Sequence, residues 1–440
     1  MATYKNLRKV LNLPTLSASP SSGVNGEMYF NTGDSALYIY DGAWKKVTQT
    51  AVPGPADWTA AAQQAKLVAS DAQTGDEFGY SIDISGDTIV AAAYLEDTTA
   101  SGAGSAYIFT RSGTTWSQQA KIQASDAGAG DNFGKFVAID GDTMVTGAHY
   151  EDTTADDAGA AYVFTRSGTT WSQQAKLQAS DAAYRDYLGF SVAIDGDTIV
   201  VGAFGEDTGA DSAGAAYVFT RSGTTWSQQA KLQASDAQAS DQFAREAISI
   251  SGDTIVVGAY REDTGGSDAG SAYVFIRSGT SWSQQAKLQA SDAAAGDRFG
   301  AAVSISSDTI VAGASLEDTA GTDTGSVYVF TRSGTSWSQQ AKLVAGNPSG
   351  LDEFGKSVDI DGDTVIIGAT KEDTGIQDTG AAYIFTRSGT TWSEQKLLKG
   401  SDVPAYKRFG WAVAIDGSTA VGTTKLIDSN TGAAYTFLAG

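Results

Sequence analysis

The chain repeats itself. The segment TRSGTTWSQQAKLQASDA stands identically at 165–182 and 220–237, and looser copies recur every 54 to 56 residues. Its lysine sets the phase at Lys66, Lys121, Lys176, Lys231, Lys287, Lys342 and Lys396. A second marker, usually Phe-Gly, falls at Phe78, Phe133, Leu188, Phe243, Phe299, Phe354 and Phe409. Both count seven. A period of this length means a stack or ring of supersecondary units, none of which can bury its apolar face alone.

Within one unit, Gly189–Ile194 alternates small and apolar residues, and Asp195-Gly196 signals a tight hairpin before Thr198–Ala203. A polar loop follows, then the alternating AAYVFT at 215–220, a turn, and a strand predicted to place Trp226, Gln228, Ala230 and Leu232 on one face. Each unit therefore reads as a four-stranded antiparallel meander. Seven such units suit the blades of a β-propeller better than a helical solenoid. The last unit stops after its third strand, at 432–440, while a spare fourth strand, DWTAAAQQAKL, stands at 57–67. Pairing 57–67 with 433–438 would complete a seventh blade and hide two open edges.

The repeats resemble the FG-GAP family of propeller repeats, with Phe-Gly at 78–79, 133–134, 299–300, 354–355 and 409–410. The Gly-Ala element of that family matches at 147–148, 202–203, 258–259, 313–314 and 368–369. The resemblance covers 57–440 and implies an all-β, seven-bladed β-propeller closed by an N-terminal strand. Many such repeats carry a calcium loop between the first two strands. Here that connection has shrunk to turns such as Ile139–Asp142 and Ile250–Asp253, too short for six to eight oxygen ligands, so no metal and no other cofactor is expected.

Residues 1–50 have no copy elsewhere. They read as a small β-meander with strands at Glu27–Asn31, Ala36–Tyr40 and Trp44–Thr48, followed by a linker at 51–56. A sheet this small needs a partner. The segment resembles short modules of bacteriophage tail-fibre and virion appendage proteins. That resemblance implies attachment to other virion proteins through 1–50, and a place on the virion, in the tail or a capsid appendage, exposed to the extracellular medium.

Composition closes several routes to chemistry. With no cysteine and His149 as the sole imidazole, thiolate nucleophiles and multi-His metal sites are excluded, and a Ser-His-Asp triad is disfavoured. The formal charge of -22, from 51 acidic against 29 basic residues, opposes nucleic acid and anionic membranes as partners. No apolar stretch approaches a membrane span, so no membrane insertion is expected.

Strand direction sorts the connections onto two faces. The face with the longer loops should hold most carboxylates, including the Glu-Asp-Thr of each second loop (Glu96-Asp97 in the first unit), against seven bases: Arg185, Arg261, Arg298, Lys371, Lys407, Arg408 and Lys425. Local turn capping is the expected role of those acids, and packing between blades that of the recurrent tryptophans. Units should acquire function where they differ. After the Gly-Ala position the chain reads Tyr94, His149, Phe204, Tyr260, Ser315, Thr370, Thr424; after Phe-Gly it reads Tyr80, Lys135, Phe190, Arg245, Ala301, Lys356, Trp411. The candidate ligand-binding set is Tyr94, His149, Phe204, Tyr260, Arg261, Tyr184, Arg185 and Trp411, either turned outward as a contact surface or filling the channel mouth. No catalytic residue is assigned. The sequence points to a non-enzymatic appendage that binds a host-surface glycan or protein, with other copies of the chain, in a homo-oligomer, among its expected partners. A capsid or tail decoration protein and a glycan-cleaving enzyme with paired carboxylates are the alternatives.

Overall fold

The computed structural model describes residues 56–440 apart from 374–375 and 427–429, together with four short strands among the first fifty residues. The chain divides into two compact units, Met1–Asp57 and Trp58–Gly440.

In the first unit, Met28–Asn31, Ala36–Tyr40 and Trp44–Lys46 form the expected antiparallel meander, with ends slightly shorter than predicted. A strand the sequence reading missed, Thr15–Leu16, pairs in parallel with Met28–Asn31. The connections between these strands and most of the linker lie outside the described residues.

The second unit is an all-β, seven-bladed propeller: seven antiparallel sheets of four strands, each in simple sequence order. Blade 3 typifies them, with an inner strand Val192–Asp195, a second Thr198–Ala203, a third Ala215–Ser222 and an outer Thr225–Leu232. Asp195 faces Thr198, so the two loop residues are Gly196 and Asp197, one position later than the sequence signal suggested. Gly196 takes φ 60, the left-handed value that the first position of such a turn favours. In blade 7 the closing strand is Ala62–Leu67, paired antiparallel with Ala433–Leu438; Trp58–Ala60 is a short 3-10 turn before it. The ring therefore shuts by main-chain hydrogen bonds between the two ends of the propeller.

Phe-Gly does its work between blades. The amide of Phe133 donates to the carbonyl of Ala103 in the preceding blade at 2.9 Å, and the Phe133 ring meets Tyr162 and Phe164 edge-on at 5.6 and 6.0 Å. The glycine of Gly-Ala admits the neighbouring backbone: a Cβ on Gly202 would overlap the carbonyl of Ala244. Blade 7 places Thr423 there instead, and its hydroxyl donates to the Gly79 carbonyl at 2.7 Å.

The Trp-Ser-Gln-Gln segment wires adjacent outer strands. A bulge in each outer strand sends the two residues of its Gln-Gln pair, Glu394-Gln395 in blade 6, opposite ways, so strict alternation of Trp226, Gln228, Ala230 and Leu232 does not hold. The first glutamine accepts from a loop amide of the preceding blade, as Gln228 does from Ser180 at 2.9 Å. The second accepts from the tryptophan of the following blade, as Gln174 does from Trp226 at 2.7 Å, except in blade 6, where Gln395 donates to Ser393 instead. The expected interblade role of the tryptophans is thus met by a hydrogen bond as well as by packing.

On the face of the tight turns a third circuit runs all the way round. Ser85, Asp140, Asp195, Ser251, Ser306, Asp361 and Asp416 each accept from the first turn amide of the next blade, ending with Asp416 and Gly86 at 2.6 Å. Outside it, Arg221 pairs with Asp197 of its own blade and donates to Thr143 of the preceding one, and five other arginines repeat the pattern. Blade 7 lacks both partners, with Ser418 and Ala439 in their places.

Candidate binding site at the channel mouth

The loop face separates into a wired rim and an unrepeated centre. On the rim, Lys121 Nζ lies 2.6 Å from Asp71 and 2.9 Å from Glu96, while Tyr107 donates to Asp71 at 2.8 Å. Glu96 also accepts from Thr98 and Ser105, and Asp97 caps the loop by accepting from the Gly102 amide. Burial works against an ionised Glu96, but these donors outweigh it and hold its carboxyl below the ordinary carboxylate range. Blades 2 to 5 repeat the lysine triad through Lys176, Lys231, Lys287 and Lys342. In blades 1 to 5 one aspartate and one glutamate of the acidic loop face are therefore held by a motif lysine, which sequence reasoning used only to mark phase, and the face stays acidic because each lysine serves two carboxylates.

Blade 6 departs from the pattern. Leu397, not Lys396, stands opposite Tyr383 where other blades place the lysine, and Asn347 replaces the aspartate. Lys399 takes over the glutamate, reaching Glu372 at 2.6 Å, and Lys396 donates to the carbonyl of Thr59. Loss of one charge is matched by loss of its partner, so no buried charge is stranded.

The centre is built at the loop-face ends of the inner and second strands. Trp411, Tyr80 and Tyr94 cluster there, with centroids 5.8 and 4.6 Å from Tyr80. The rings continue through Phe136 to Phe190, which meets His149 at 4.8 Å and Phe204 at 4.7 Å. Tyr187 stacks on Phe204 at 4.9 Å and 11°. Arg245 then lies 5.0 Å over Phe204 and donates to the Tyr260 hydroxyl at 2.8 Å, and Arg261 packs over Tyr260 at 5.7 Å. Six of the eight candidate residues, Tyr94, His149, Phe204, Tyr260, Arg261 and Trp411, thus join one arc across blades 7, 1, 2, 3 and 4. Tyr184 and Arg185 stand apart on the rim, where Tyr184 is 58% exposed, Arg185 packs over its ring, and Arg185 pairs with Asp157 at 3.5 Å.

Burial corrects the outward reading of this arc. His149 is 2% exposed and Tyr260 9%, and Tyr94, Phe204 and Trp411 are half-buried, because the rings satisfy one another before they meet solvent. Lys135 Nζ sits 3.8 Å from the centroids of both Tyr80 and Tyr94. Burial pushes its ammonium down to about 7, with Lys425 acting the same way, while the two ring faces favour the charged form. His149 falls to about 3, first through burial and then through Lys135 and Arg245, so its imidazole is neutral at ordinary pH.

Blades 4 to 6 leave the other half of the mouth open. Glu246, Tyr260, Arg298, Ala301, Ser315 and Lys356 line a cavity of about 320 Å³, counting the solvent at its opening. Phe136 and Glu246 were missed in the sequence. The column just after the one read around the mouth runs Ser81, Phe136, Ser191, Glu246, Ala302, Ser357, Ala412, and these two stand out from its small residues.

Among the described residues, no three His, Cys, Asp or Glu side chains are grouped to hold a metal ion. The model of the FG-GAP repeat matches residues 61–109, 116–164, 171–219, 226–275, 282–330, 337–385 and 392–437. No curated protein matches the chain significantly. Among solved structures, a chain of the "Crystal Structure of Mitotic Checkpoint Complex" superposes with a TM-score of 0.51 at 13% identity, covering 86% of this chain and 94% of that one, a likeness of fold alone.

Proposed function

The chain belongs to the FG-GAP repeat family, and from that premise and the geometry of the mouth we propose that it is a non-enzymatic binding scaffold whose loop face engages a glycan or protein on a host surface. One observation carries the reading. The ties between blades repeat almost residue for residue, whereas the side chains around the mouth differ from blade to blade, with an aromatic arc on one side and an open charged cavity on the other. Uniform blades build a frame, and unlike side chains at its centre give a ligand a defined orientation. The rim carboxylates argue against glycan hydrolysis, since their lysine pairs recur in blade after blade and single out no two acids. In the same proposal residues 1–50, by their likeness to appendage modules, attach the protein to other virion proteins and place it on the virion.

The test uses intact particles and two variants. Tyr184→Ala with Arg298→Glu alters exposed loop-face side chains and should weaken cell binding while incorporation into particles stays normal. Deleting 1–50 should abolish incorporation. Normal cell binding by the double variant together with failed assembly would make the loop face an assembly surface, as a decoration protein requires.

A further inference from the structure

The open half of the mouth has the chemistry of an anion site. Three arginines surround Tyr260: Arg245 bonds its hydroxyl, and Arg261 and Arg298 lie 5.7 and 5.8 Å from its ring. Every arginine of the turn-face circuit has an aspartate, as Arg277 has Asp253 at 2.6 Å. These three have no carboxylate partner among the described residues, although the chain carries a formal charge of -22. The buried Nε atoms of Arg245 and Arg261 have no hydrogen-bond acceptor. For the half-buried Arg245 and Arg261 a guanidinium without counter-charge is costly, whereas Arg298 is exposed, lines the cavity and can take an anion from solution.

The cavity beside them exists because blade 5 is small at both mouth positions. Where blades 1 to 4 carry Tyr94, His149, Phe204 and Tyr260, blade 5 has Ser315; where other blades carry Tyr80, Lys135, Phe190, Arg245, Lys356 or Trp411, it has Ala301. The gap exposes Arg298 and Lys356 on its walls, with the Ser315 hydroxyl and Glu246 beside them. Glu246 lies 3.7 Å from Lys356, so the charged lining nets one positive charge.

We propose that this cavity binds a carboxylate-bearing sugar unit. The acid group pairs with the forked Arg298 guanidinium and the Lys356 ammonium, the sugar hydroxyls donate to Glu246 and accept from Ser315, and the ring rests against Tyr260. The proposal rests on the mouth-binding reading and names its ligand class.

Titrating the full-length protein with free glucuronate, N-acetylneuraminate, glucose and inorganic sulfate, followed by NMR or calorimetry, tests it. Saturable binding of at least one acidic sugar is expected, at least about tenfold tighter than glucose or sulfate. Two variants should each abolish it: Arg298→Gln, which removes the charge, and Ala301→Phe, which fills the gap and leaves every charge in place. A melting curve for each variant guards against misfolding. Equal affinity for glucose, tighter binding of sulfate, or undiminished binding by both folded variants would overturn the site. Binding of the acidic sugar in the cavity with no effect of either variant on cell attachment would leave the site standing and sink the host-surface reading instead.

Discussion

Lys66 Nζ and Asp402 Oδ2, separated by 336 positions in the chain, lie 2.7 Å apart. The pair repeats at the closure of the ring what Lys121 and Asp71 do inside it, and Tyr435 donates to the same aspartate at 2.6 Å. The seam of the propeller is therefore built from the same parts as its internal joints.

The ion pair itself should contribute little, since Lys66 and Asp402 are 27% and 52% exposed. In a double-mutant cycle with Lys66→Met and Asp402→Asn, a coupling of about 0.5 kcal/mol is expected. Deleting 58–67 is a different matter: it bares the edge of Ala433–Leu438 and should cause aggregation or loss of cooperative melting. An unchanged melting curve for the deletion would contradict closure by this strand.

Ser307 holds φ 57 at the turn position that is glycine in the other six blades. Its side chain gains nothing from the left-handed backbone, so Ser307→Gly should stabilise the propeller by about 1 kcal/mol in urea titrations. Its amide bond to Ser251 survives the change. A destabilised variant would mean that the serine hydroxyl matters more than the backbone strain.

His149 gives a pH signature that no other imidazole can blur. Its folded value of about 3 lies below the ordinary 6.5, so the unfolded chain binds the extra proton between those limits. Stability from this group is intact above pH 6.5 and is lost as pH falls toward 3. His149→Phe removes that loss and the unpartnered Nδ1 together. The stability of the variant relative to the parent should rise steadily as pH drops from 6.5; parallel curves would refute the buried neutral imidazole.

Chelation should leave the melting temperature unchanged. A cation drawn to Glu96 would have to displace Lys121 at 2.9 Å along with the hydroxyls of Thr98 and Ser105. A fall with EDTA that calcium reverses would show that the rim acids serve a structural metal.

Much of this was legible in the sequence because the repeats report on one another. The blade count, the strand order and the closing segment follow from the phase of Trp-Ser-Gln-Gln and Phe-Gly. Lys396 was misread because that segment keeps its length but carries lysine where the other blades have alanine and leucine where they have lysine, so Lys396 stands opposite Ile384 and not Tyr383. The mouth was half legible. Columns of unlike residues located it, yet whether Tyr260 and His149 face water depends on how near Arg245 and Phe190 come from neighbouring blades, which no single repeat encodes. The fates of the two adjacent glutamines were hidden for a similar reason, since a bulge changes facing without changing composition.

The paired absences in blades 6 and 7 bear on how such a chain can change. Asn347 stands with Leu397, and Ser418 with Ala439, so a tie can vanish from one joint while the circuit through the other joints persists. A closed ring with redundant fastenings shares load among its joints, and no single fastening is indispensable. Positions 80, 135, 190, 245, 301, 356 and 411 belong to none of these fastenings. Phe190 and Lys135 are buried in the arc, but substitution at 301 and 356, which line the open cavity, can retune what the mouth recognises at little risk to the frame, so such chains could explore new ligands one blade at a time.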